Sequence, residues 1–100
     1  MKNRSRTDII AVILKVANSN GGALQARIMY EAYLSWAQLK EYLSLMLKYE
    51  LVKYQERERT YIITQKGIHF LKIHNELNEL IATKQIGNDN KIMYGTTILT

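Results

Sequence analysis

Leu34-Ser35-Trp36-Ala37-Gln38-Leu39-Lys40-Glu41-Tyr42-Leu43-Ser44-Leu45-Met46-Leu47-Lys48-Tyr49 is the stretch whose reading decides the fold. Ser35 with Gln38 three residues on is a capping-box spacing, in which each residue satisfies a free backbone N–H of the other, so a helix is predicted to begin at Ser35. Leu39, Leu43, Met46 and Leu47 recur at helical spacing and define its buried face. Gln38, Lys40, Glu41, Ser44 and Lys48 point elsewhere. Leu34 is placed to plug the core just before the cap. Trp36 falls on the flank of the buried face, either as a core or boundary residue or as an aromatic lying against a sugar-phosphate backbone.

On the N-terminal side, Leu24, Ile28 and Met29 form the apolar side of a shorter helix ending near Tyr30, with Gln25 and Arg27 outside. Residues 31–34 are the turn. On the C-terminal side, residues 51–55 and 60–64 are rich in β-branched and aromatic residues and read as paired strands. Glu56-Arg57-Glu58-Arg59 is the tip; it lacks an Asn-Gly or Asp-Gly signal, so the turn type is open. A short helix, a tight turn and a longer helix form a helix-turn-helix, whose second helix enters the major groove of DNA. The following hairpin makes it a winged helix. The predicted fold class is mainly α with a small β-hairpin, a winged helix-turn-helix with an extended C-terminal helix.

The flanks complete three predicted regions: a winged domain with a basic lead-in over 1–66, a dimerisation helix over 67–83 and a tail over 84–100. The lead-in carries Lys2, Arg4 and Arg6. Ser5 or Thr7 can cap the first helix, Asp8 suits its positive end, and Ile9, Ile10, Ile13, Leu14 and Ala17 form its stripe. Residues 18–22 end it, with Gly relieving the left-handed terminus. Thr64 caps the last helix. Its early apolar residues Ile68 and Leu71 can fold back on the core. Phe70, Ile73, Leu77 and Leu80 alternate by three and four, the spacing of a coiled-coil seam, and with Ile81 they are the candidate homodimer contacts. Residues 86–90 read as turn-like, and the tail as either disordered or extended along the domain.

One hundred residues imply a single domain, able to bury a core without staples. With no Cys there is no disulfide, thiolate zinc site or Cys nucleophile. No stretch approaches the roughly 20 apolar residues needed to span a bilayer. The run from Ile9 to Leu14 is too short for a signal peptide and lacks a cleavage site, so the expected location is cytoplasmic, at the nucleoid. His69 and His74 lie five apart, off a common ligand face, and Asp8 and Asp89 are expected near flexible segments. With no catalytic triad, paired carboxylates or phosphate loop in view, no enzyme, cofactor, metal or small-molecule substrate is expected.

The net charge is +5, and its placement is more informative than its size. Residues 1–66 carry 11 Lys and Arg against 6 Asp and Glu, whereas residues 67–100 carry three of each. A basic excess confined to the winged part suits a polyanion, here double-stranded DNA. Arg4, Arg6, Arg57 and Arg59 are candidate phosphate contacts, although the charges of the wing tip cancel. Gln25, Arg27, Ser35, Trp36, Gln38, Lys40, Glu41 and Ser44 are the candidates on the helix-turn-helix. Gln38 can pair with an adenine edge; ionised Glu41 either accepts from a cytosine amino group or repels phosphate. The rival reading is a protein-interaction adaptor, favoured by Glu41 and by the neutral wing tip.

Several stretches together resemble a family of small archaeal winged-helix DNA-binding proteins. They are Arg4-Ser5-Arg6-Thr7-Asp8-Ile9-Ile10, then Arg27-Ile28-Met29-Tyr30, Leu34-Ser35 and Gln38-Leu39-Lys40-Glu41-Tyr42-Leu43, and finally Tyr61 to Thr64 with Lys66-Gly67 and Phe70-Leu71. They cover roughly residues 4–80. The resemblance implies a winged-helix domain with a long C-terminal helix, which in some relatives pairs as an antiparallel coiled coil to give a chromatin-type dimer. The family usually has Gly just before the position of Leu51; Glu50 stands there instead. A non-Gly residue in a left-handed conformation costs on the order of 1 kcal/mol, so this helix end is expected to be built differently.

Overall fold

The computed structural model describes residues 4–90. In chain order these form α1 (Arg6–Ala17), β1 (Ala23–Leu24), α2 (Gln25–Ala32), α3 (Trp36–Lys48), β2 (Val52–Gln55), β3 (Thr60–Ile63) and α4 (Gln65–Asn90). The protein is mainly helical, with a three-stranded antiparallel sheet in the order β1-β3-β2. This is a winged helix-turn-helix with a long C-terminal helix.

Local chemistry sets the helix starts. Ser5 caps α1 and Ser35 caps α3, each in a complete capping box, with Asp8 and Gln38 as the returning side chains. Thr64 opens α4, its Oγ1 accepting from the Gly67 N–H at 3.0 Å.

The ends of α2 and α3 share one solution. The Leu34 N–H donates to the Met29 carbonyl and the Tyr33 N–H to the Tyr30 carbonyl. Likewise the Leu51 N–H donates to the Met46 carbonyl and the Glu50 N–H to the Leu47 carbonyl. This nested pair of bonds is the Schellman motif, which needs a left-handed residue at its centre. Tyr33 (φ 56°) and Glu50 (φ 61°) fill that place. The α3 terminus thus keeps the geometry that favours Gly, contrary to the sequence expectation, and Glu50 carries the strain.

The core gathers Ile10, Ile13 and Leu14 of α1, Ile28 of α2, Leu39, Leu43 and Met46 of α3, and Leu51, Val52 and Leu71. Leu34 is buried as expected. Leu47 is not: it is 39% exposed, and the partly buried Tyr42 and Leu45 complete the inner face of α3 instead. Ile68 is 42% exposed, while Leu71 is buried and Phe70 packs against the core. These two assignments fail because apolar periodicity fixes a face to no better than one flanking residue.

β1 is an addition to the expected hairpin. Ala23 pairs with Tyr61 and Leu24 with Thr60. Leu24 therefore belongs to a strand and is 54% exposed, rather than lying on the apolar side of α2. Gly22 (φ 85°) makes the approach possible, since a Cβ there would sit 2.7 Å from the Tyr61 carbonyl oxygen.

The reading of residues 86–90 as turn-like is also corrected, because α4 runs through them to Asn90. A single glycine such as Gly87 costs a helix about 1 kcal/mol without stopping it. Lys2 of the lead-in and residues 91–100 of the predicted tail lie outside the described residues.

α4 is seated by Gly67. A Cβ at this position would collide with the Leu51 carbonyl and meet Ile63 Cγ1 at 2.7 Å. Gly67→Ala is therefore expected to destabilise the domain by about 1–3 kcal/mol, the usual cost of overpacking. Glu50→Gly is expected to stabilise it by up to about 1 kcal/mol, as relief of left-handed strain outweighs the added freedom of the unfolded chain. Urea unfolding of both variants checks the two signs.

Candidate nucleic-acid interface

Burial of Leu39, Leu43 and Met46 fixes the rotation of α3 about its axis. At about 100° per residue, Ala37, Glu41 and Lys48 fall opposite that stripe, Lys40 and Ser44 toward one flank and Gln38 toward the other. All six are exposed. Gln38 is partly committed: its Oε1 accepts from the Ser35 N–H at 2.9 Å, which leaves its amide N–H2 to donate outward. Ser35 Oγ accepts from the Gln38 N–H at 3.1 Å and keeps its own proton to donate.

The two arginines of the lead-in lie against the helix-turn-helix. Arg4 Nη2 donates to the Tyr33 carbonyl at 3.4 Å. The Arg6 guanidinium lies over the Tyr42 ring, 5.6 Å from its centroid. Arg6 is thereby held on the Gln38 side of α3.

On the opposite flank, Gln25, Trp36, Lys40, Ser44, Leu47 and Tyr61 line a cleft of about 260 Å³ with Leu43 at its floor. Four of the sequence candidates meet here: Gln25, Trp36, Lys40 and Ser44. Trp36 is 51% exposed, with Lys40 Nζ 6.0 Å from its ring centroid, so it is a surface residue and not a core one. Burial, and secondarily the neighbouring Tyr54, pushes the Tyr61 hydroxyl above the usual tyrosine value.

Other candidates stand apart. Arg27 is paired within α2 to Glu31 at 2.7 Å. Arg57 and Arg59 are exposed in the four-residue wing tip beside Glu56 and Glu58, with Arg59 in the left-handed region (φ 59°). On α4, Ile73, Leu77, Leu80 and Ile81 are each more than half exposed, whereas Phe70 is partly covered by the core.

Sequence reasoning missed Lys53 and Lys66. Both line a second cleft, with Leu47, Glu50, Val52, Tyr54, Thr64 and Gln65. The available signal was their position, one in the hairpin and one in the first turn after it. Among the described residues, no three His, Asp or Glu side chains gather as metal ligands. No helix there is long and apolar enough to cross a membrane.

A family model described as winged helix-turn-helix matches residues 3–82. No curated protein matches the chain.

The arm is anchored by Asp8, which is not in a flexible segment but in the first turn of α1. Its Oδ1 lies 2.9 Å from Nε2 of His74 on α4, and its Oδ2 accepts from the Ser5 N–H at 3.4 Å. The His74 contact first, then the Ser5 bonds, hold the Asp8 carboxyl below its usual value. A carboxylate with a lowered folded pKa stabilises the fold above its unfolded pKa, and that contribution disappears as pH falls through the folded value. Asp8→Asn should therefore lose stability at neutral pH and show a flatter fall in Tm below about pH 4 than the parent protein. Thermal melts over a pH series measure both slopes.

Proposed function

We propose that this chain, which belongs to the winged helix-turn-helix family, is a DNA-binding transcriptional regulator or small nucleoid protein that reads duplex DNA with α3. The observation that carries this reading is the outward polar face of α3 beside a projecting hairpin. Its rotation is fixed by Leu39, Leu43 and Met46, and Gln38, Lys40, Glu41 and Ser44 are left exposed. Residues early in such a helix approach base edges when it enters the major groove. Gln38 and Lys40 donate to base edges or phosphates, and Glu41 accepts from a cytosine amino group or acts as a brake on phosphate. Arg4 and Arg6 on one side and Arg57 and Arg59 on the wing supply phosphate contacts that add affinity without reading sequence.

The protein works as a homodimer in this proposal, at the nucleoid. Ile73, Leu77, Leu80 and Ile81 extend along α4, each more than half exposed, a surface suited to a second copy. The adaptor reading keeps one supporting observation, the exposed Glu41 at the centre of the outward face of α3.

Duplex titrations separate the readings. Glu41→Gln should either tighten binding to every duplex alike, marking a brake, or change the preferred sequence, marking a reader. If Gln38→Ala, Lys40→Ala and Glu41→Gln all leave binding unchanged while the fold is intact, α3 does not contact DNA and the adaptor reading takes over. For the dimer, Leu77→Asp with Leu80→Asp should give a monomer of unchanged domain fold by light scattering and circular dichroism. A monomeric parent protein at high micromolar concentration would rule the dimer out.

A further inference from the structure

The two clefts beside α3 meet. Leu47 lines both, and Tyr61 of the first stands against Tyr54 of the second, with ring centroids 4.9 Å apart. Together they form one groove between α3 and the sheet, running from Trp36 to the start of α4. Lys40, Lys53 and Lys66 line it against a single acid, Glu50. Exposed Trp36 and Tyr54 add apolar surface beside the cationic groups.

We infer that this groove seats one sugar-phosphate strand of a DNA duplex, with Lys53 and Lys66 as phosphate contacts beyond the recognition helix, the arm and the wing tip. The inference rests on the DNA-binding reading above and specifies where the backbone runs. Three lysines against one carboxylate match a line of phosphates in charge. Aromatic faces beside them suit deoxyribose, which is apolar on its ring carbons. Leu47, which periodicity assigned to the core, gains a reason to be exposed: it lines both halves of the groove. The same geometry explains why charge at the wing tip can cancel without removing the basic surface, since Lys53 and Lys66 lie behind the tip.

The test uses the full chain, a labelled random-sequence duplex and a series of salt concentrations. Removing one lysine–phosphate pairing lowers the slope of log affinity against log salt by about 0.9. Lys53→Ala with Lys66→Ala should lower that slope by roughly twice this amount. A control, Lys15→Ala with Lys72→Ala, removes equal charge from exposed positions that line neither cleft, and should change the slope far less. Trp36 is the only tryptophan, so its emission reports directly on the groove and should change on duplex addition. If the parent protein binds duplex but the groove variant keeps its slope, or both pairs shift it equally, or Trp36 emission stays constant, the backbone does not run here while the α3 reading survives. If the parent protein binds no duplex, both fall together.

Discussion

The peptide of Leu51 is the joint on which the rest of the structure hangs. Its N–H closes α3 on the Met46 carbonyl at 2.8 Å, and its carbonyl accepts from the Thr64 N–H at 3.1 Å. Thr64 Oγ1 donates to the neighbouring Glu50 carbonyl at 2.6 Å while accepting from the Gly67 N–H. The helix that ends, the strand that begins and the helix that follows the sheet are thus tied through a few neighbouring backbone groups. Buried backbone groups must be paired, so none of these elements can shift alone. The lack of a side chain on Gly67 is what allows α4 to come close enough for this joint to form.

That joint gives the outward face of α3 its value. A recognition helix is useful only if its rotation and its distance from the wing are fixed, because a one-residue turn of the helix would exchange polar for apolar groups at the surface. Rotation is fixed by the burial of Leu39, Leu43 and Met46. Distance is fixed by the Schellman turn at Glu50, which leads into β2 within two residues. α1 contributes from the other side, where Arg6 lies on Tyr42 and Asp8 bridges to His74 on α4. The first helix, the third and the last are therefore coupled through one short stretch of chain.

Two left-handed residues with side chains, Tyr33 and Glu50, sit at the turns on either side of α3. Each costs on the order of 1 kcal/mol relative to Gly. They persist because the following residues, Leu34 and Leu51, are buried and hold the chain in place.

How much of this was legible in the sequence depends on the range of the interaction. Caps and apolar stripes act within four residues, so the starts of α3 and α4 and the buried Leu39, Leu43 and Met46 could be read from local patterns, the start of α1 to within Ser5 or Thr7, and the hairpin from its β-branched and aromatic composition. The exposed position of Gln38 followed from the same periodicity. What the sequence could not determine were the contacts made across long separations. β1 exists only because β3 offers Tyr61 and Thr60 as edge partners, and a two-residue strand has no period of its own. Leu47 and Ile68 had the right spacing for the core but lie where no neighbour covers them fully. The pairing of Asp8 with His74, 66 residues apart, and the groove lined by Lys40, Lys53 and Lys66 arise from packing distant elements together. Local patterns determine which elements form, because their hydrogen bonds are local. Only the tertiary structure decides which flank of each element is covered, because that depends on neighbours distant in the chain.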